Sequence, residues 1–98
     1  MNIEKVCNGN EITLKLSGRL DTTTAPALET AVSETIVSCE QLILDFAGLE
    51  YISSAGLRVI LKAQKAMAAK GGMKILHVNE TIMEIFEITG FSDILTIE

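Results

Sequence analysis

The run Gln41-Leu42-Ile43-Leu44-Asp45-Phe46-Ala47-Gly48-Leu49-Glu50-Tyr51-Ile52-Ser53-Ser54-Ala55-Gly56-Leu57 passes from an apolar block, through a glycine-bearing stretch, to a serine pair. Leu42-Ile43-Leu44 shows no alternation, which predicts a central strand over Gln41 to Phe46 covered on both faces, in a sheet sandwiched wholly or partly by helices. Ala47 to Ser53 reads as a loop. Beyond it Leu57, Ile60, Leu61, Gln64 and Met67 recur at helical spacing, and Gly71-Gly72 stops that helix.

Toward the C-terminus, Met73 to Val78 reads as another apolar strand. Asn79 then caps a short helix whose Ile82, Ile85, Phe86 and Ile88 are expected to pack inward until Gly90 ends it. Ile94 to Ile97 adds a last short strand. Toward the N-terminus, Glu11 to Ser17 alternates apolar and polar residues, the period of a strand with one buried face. The turn residues Asn8-Gly9-Asn10 join it to Ile3 to Cys7 as a hairpin. Gly18 to Thr24 reads as a loop, and Pro26 marks a helix start with Leu28, Ala31, Val32 and Ile36 on its apolar face. The sum is an α/β chain: a mixed sheet opened by an antiparallel hairpin and continued by alternating βα units with right-handed crossovers, helices packed against it.

With 98 residues, the chain has room for one domain spanning 1–98. Hydrophobic residues make up 48% and charged residues 21%, enough to fold alone rather than remain disordered. The net charge is -5 and the eight Lys and Arg are scattered, so nucleic acid is not an expected partner. The start Met1-Asn2-Ile3-Glu4-Lys5 lacks the basic and apolar regions of an export signal, and no apolar run reaches membrane-spanning length. A cytoplasmic chain, monomeric when free, is the expectation. Cys7 and Cys39 stand far apart and read as small core hydrophobes.

The serine pair is where chemistry is expected. It follows a buried strand at its C-terminal end, the place where α/β domains usually carry function. A hydroxyl at a helix start lies beside unpaired N–H groups and the positive end of the helix dipole, which favour a phosphate. The plainer role for Ser53 or Ser54 is to cap the helix. A serine hydrolase is not indicated: no Gly-x-Ser-x-Gly elbow exists, and His77 falls within an apolar strand, where a structural histidine is expected. Asp21 and Asp45 lack the accompanying ligands of a metal site, and Asp21 reads as a turn residue or a partner contact. No Gly-x-x-x-x-Gly-Lys loop is present to hold a nucleotide. Lys62, Lys65 and Lys70 are read as the solvated face of the second helix, and the Asn79-Glu80-Thr81 sequon as a helix cap.

Asp45 to Leu57 resembles the signature of STAS domains: an acidic residue ending a strand, then Leu, an aromatic-aliphatic pair, Ser or Asp, Ser, a small residue, Gly and Leu. Gly18-Arg19-Leu20-Asp21, Gly71-Gly72 before a strand, and Thr89-Gly90-Phe91 are similar to further landmarks of that family, in the same order. The resemblance is to bacterial anti-sigma factor antagonists. It implies partner switching: the unphosphorylated chain binds an anti-sigma factor that is also an ATP-using serine kinase, and so frees the sigma factor. Phosphorylation of Ser54, the serine two residues before the motif glycine, ends the binding. Ser53 stands where the family often has Asp, which leaves it as a second hydroxyl open to the kinase. The implied contact surface includes Asp21, Thr22 and Thr23 before the first helix, and Ser53, Ser54, Ala55, Gly56 and Arg58 at the second. The chain would be no enzyme and would carry no cofactor, with ATP held by the partner and a serine phosphatase as a further partner. The alternative implied by the same fold is an accessory subunit of a membrane transport complex of the lipid-type ABC kind.

Overall fold

Strict alternation in Glu11 to Ser17 buries Ile12, Leu14 and Leu16 and leaves Lys15 in solvent, so this segment can only be a strand with one covered face. In the computed structural model, which describes all residues from Met1 to Glu98, it forms part of β2 (Glu11–Leu20). β1 (Asn2–Asn8) pairs with it antiparallel through the turn at Gly9, whose φ of 66° suits glycine. There follow α1 (Ala25–Ile36), β3 (Gln41–Ile52), α2 (Ser54–Ala68), β4 (Met73–Leu76), α3 (Glu80–Thr89), a short 3₁₀ turn (Phe91–Asp93) and β5 (Thr96–Ile97).

The sheet order is β1-β2-β3-β4-β5, with every pairing after the hairpin parallel. Each parallel strand is added on the same side of the last. Right-handed crossovers in one direction place all helices on one face, and a single cluster of 23 buried apolar residues lies between helices and sheet. The sheet is therefore not sandwiched. Leu42, Leu44 and Phe46 face the core while Ile43 and Asp45 lie on the open face, only half-buried, so the apolar run in β3 hides an alternation that Ile43 conceals.

Of the two expected loops, Ala47 to Ile52 and Gly18 to Leu20 prove to be strand, while Asp21 to Thr24 is a turn as expected. β2 and β3 continue in parallel past two register shifts, pairing Gly18 with Leu49, Arg19 with Tyr51 and Leu20 with Ile52. The glycines that suggest loops mark irregularities instead: Gly18 has φ 93°, and a Cβ on Gly48 would lie 2.8 Å from that of Ser17. The inward face of α2 is also rotated from the expected one. Leu57, Ile60 and Met67 are buried, joined by Val59 and Ala63, whereas Leu61 and Gln64 are half-exposed.

β4 ends at Leu76 rather than Val78. Asn79 caps α3 as expected, its Oδ1 accepting from the Ile82 N–H at 2.8 Å, and Gly90 ends the helix at φ 81°. Ile82 and Phe86 are buried and Ile85 packs against the core, but Ile88 is 85% exposed. Of the two cysteines, Cys39 is buried, and burial pushes its thiol pKa up; Cys7 is exposed on β1, contrary to a core role.

Candidate functional site

The end of β3 delivers the serine pair to the helix start with the backbone already anchored. The Ser53 N–H donates to the Leu20 carbonyl at 2.9 Å, joining the ends of β2 and β3 just before both chains leave the sheet. Ser53 is extended (φ −101°, ψ 175°) and is the N-cap of α2, its Oγ accepting from the Gly56 N–H at 3.4 Å. Ser54 is the first helical residue, exposed, and its hydroxyl makes no hydrogen bond within the chain. The two hydroxyls are thereby distinguished: one caps, the other is free.

Gly56 lies beneath them. A Cβ there would stand 2.6 Å from Leu20 Cγ and 3.0 Å from Ile52 Cγ1, so glycine permits α2 to approach the strand ends closely. Gly56 is buried and shapes the surface from below, while Ala55 is half-buried and Arg58 exposed above it.

Asp21 begins the neighbouring loop, directly after Leu20. Its carboxylate accepts from the Thr23 hydroxyl at 2.7 Å, the Thr23 N–H at 3.0 Å and the Thr24 N–H at 3.2 Å. These bonds, the Thr23 hydroxyl first, hold its pKa below the usual carboxylate value. Thr24 Oγ1 in turn donates to the Arg19 carbonyl at 2.8 Å. Asp21 is thus the turn residue that organises the entry to α1, with Thr22 and Thr23 exposed at its tip. Between α1 and α2 runs a groove of about 430 Å³ lined by Thr22, Ala25, Pro26 and Glu29 on one side, and Ala55, Arg58, Val59 and Lys62 on the other. The structure therefore gathers the sequence-derived contact residues at one end of the domain.

Two arrangements escaped the sequence reading. The Arg19 guanidinium stacks over the Tyr51 ring, 4.4 Å from its centroid, at the strand ends beside the serine pair. Paired only through the register of β2 with β3, the two are 32 residues apart in the chain and carry no local signal. The second is on the open sheet face. His77 lies outside β4, exposed, in a left-handed conformation (φ 59°), with Nδ1 2.9 Å from Asp45 Oδ1. Asp45 thus has a histidine beside it after all, and His77 is no interior residue. Burial raises the Asp45 pKa, but the His77 hydrogen bond, the Ala47 N–H and the charges of His77 and Lys15 outweigh it and hold the carboxyl below its ordinary value. No third ligating side chain joins them to make a group of three. Lys70 also departs from expectation. It follows α2, and its ammonium donates to the Ile36 carbonyl at the end of α1.

Comparison with known proteins agrees with the fold. The chain is 30% identical over 100 residues to an anti-sigma F factor antagonist of Paenibacillus polymyxa, covering 99% of this chain and 86% of that one. An anti-sigma factor antagonist from Mycobacterium paratuberculosis superposes with a TM-score of 0.90 at 21% identity, covering 98% of this chain and 83% of the other. The Bacillus protein SpoIIAA, in its phosphorylated form, superposes with a TM-score of 0.77 at 18% identity, over 99% of this chain and 91% of the other. The STAS domain family matches residues 2–98, and with that span, the one-sided mixed sheet and the serine pair at the start of α2, the chain belongs to the STAS domain family.

Proposed function

We propose that this protein, a single STAS domain over residues 1–98, is an anti-sigma factor antagonist switched by phosphorylation of Ser54. The carrying observation is the division of labour in the serine pair: Ser53 is committed to the cap, and Ser54 is exposed with an unengaged hydroxyl. The name of the Paenibacillus relative and the phosphorylated state of the SpoIIAA structure support the same reading.

In this reading the unmodified end of the domain, with Asp21, Thr22 and Thr23 beside Ser53, Ser54, Ala55 and Arg58, docks onto an anti-sigma factor that is also a serine kinase. The partner holds ATP. Its γ-phosphoryl group passes to Ser54 Oγ, the hydroxyl proton leaves, and ADP departs with the partner. The antagonist binds and is modified but catalyses nothing, and it needs no cofactor. A serine phosphatase restores the hydroxyl. The setting is the cytoplasm, where sigma factors act.

The energetics are sufficient without refolding. A phosphate brings about 1.5 to 2 negative charges into the contact surface, and docking must then desolvate or repel them. A tenfold loss of affinity requires only about 1.4 kcal/mol. The helix start tolerates the added charge, so the switch acts on the interface rather than on the fold.

The test is incubation with the partner kinase and ATP, followed by mass spectrometry and affinity measurement. Phosphate is expected on Ser54, absent from Ser54→Ala, with binding at least about tenfold weaker after modification or in Ser54→Asp. Phosphate on Ser53 alone, or a phosphorylated protein that binds as tightly as the unmodified one, overturns the assignment.

A further inference from the structure

Arg58 stands one helical turn beyond Ser54, and both are exposed on the uninterrupted helix α2. Residues four apart share a helix face, and an anion placed N-terminal to its cation is the more favourable order. Long side chains on a helix lean back toward its N-terminus, over the preceding turn. Arg58 lines the groove between the helices, with Ala55 and Lys62 on its own helix and with Thr22, Pro26 and Glu29 across it.

Several neighbouring charged groups are engaged within the chain. The Asp21 carboxylate is tied to Thr23 and Thr24, Lys62 pairs with Glu29 at 3.6 Å, and Arg19 stacks on Tyr51. Arg58 takes part in none of the chain's ion pairs. It is the uncommitted cation of the groove.

We propose that a phosphate on Ser54 is bound in cis by Arg58, which draws the guanidinium out of the groove; this rests on the reading of Ser54 as the modified residue. A planar guanidinium meets phosphate oxygens through paired hydrogen bonds, which an ammonium at this position would not reproduce. Modification then changes the surface twice. It adds about 1.5 to 2 negative charges, and it engages the groove's cation that is otherwise in no ion pair and could meet an acidic side chain of the partner. Local charge at Ser54 and Arg58 passes from about +1 to between about −0.5 and −1. The clamp also orders the phosphate against the helix instead of leaving it mobile in solvent.

The test uses the full chain with phosphoserine placed at position 54 during translation, so that it does not depend on any kinase. The second ionisation of the phosphate, about pH 6 in an exposed phosphoserine, is followed by ³¹P NMR titration. In the wild type it is expected to lie lower than in Arg58→Gln by about 0.2 to 0.5 of a pH unit, the range of a helix ion pair one turn apart or somewhat above. Arg58→Lys should recover part of the difference, and Lys62→Gln should leave it unchanged. The helix start is common to all four proteins, so the comparison isolates the side chain at 58. Identical titration of the wild type and Arg58→Gln overturns the clamp, as does an equal shift in Lys62→Gln. Failure of a kinase to modify Ser54 would instead sink the proposed function and leave the titration result standing.

Discussion

Ser53 and Ser54 differ by one position and by nearly everything else. Ser53 satisfies the Gly56 N–H, one of the orphan donors of the helix start, while Ser54 satisfies none. Removing the cap should therefore cost stability, and removing its neighbour should not. At 3.4 Å the capping bond is long, so Ser53→Ala is expected to lose about 0.5 to 1 kcal/mol, the lower part of the usual range for a lost cap. Ser54→Ala should stay within about 0.5 kcal/mol of the wild type, as surface changes do. Urea denaturation of the two variants decides it, and a larger loss in Ser54→Ala would reverse the assignment of cap and switch. That a serine would cap α2 was legible from residue type; which one does so depends on where the φ and ψ of the chain become helical, and β3 sets that by running on to Ile52.

At the scale of elements, the close seating of α2 on the ends of β2 and β3 depends on Gly56. Alanine is better than glycine by about 1 kcal/mol in a helix interior, an upper bound for Gly56 in the first turn of α2. Here its Cβ would meet the Cγ of Leu20, which is fully buried and cannot swing aside. The overpacking cost, typically about 1 to 3 kcal/mol, outweighs the gain in propensity. Gly56→Ala is expected to lower stability by about 1 kcal/mol net and to weaken partner binding through displacement of the helix start; thermal melts and affinity measured on one preparation would test both, and a stabilised variant would show that the seating is loose. The caps of α3 and part of the α2 face were legible because they are local: Asn79 and Gly90 bound α3 and Leu57, Ile60 and Met67 are buried, whereas the expected Leu61 and Gln64 gave way to Val59 and Ala63. Ile88 failed because it is the last but one residue of α3, where the helix has already passed the edge of the core.

For the whole molecule, the open face of the sheet adds a pH dependence. The pairing of Asp45 with His77 links the middle of β3 to the residue after β4. Because the folded state holds the Asp45 pKa below 3.8, the stabilisation is fully present above about pH 4 and is lost as pH falls through the lowered folded value. His77 is 62% exposed, so solvent screening keeps the effect small, about 0.5 kcal/mol or roughly 2 to 4 °C in melting temperature. Asp45→Asn should melt lower than the wild type at pH 6, with the gap closing below about pH 4; a gap independent of pH would rule out the ionised pair as its source. The order of strands and helices, the hairpin opening and the serine pair at a helix start were written in local patterns of period two and period 3.6, in caps and in turn glycines, because these depend on neighbours a few residues away. The tertiary structure alone decided that only one sheet face is covered, that β2 and β3 run past their glycines to the serine pair, and that Asp45 meets His77 and Arg19 meets Tyr51. Each of these rests on strand register and on the side to which successive crossovers fold, quantities set by packing between segments far apart in the chain and carried by no single stretch of it.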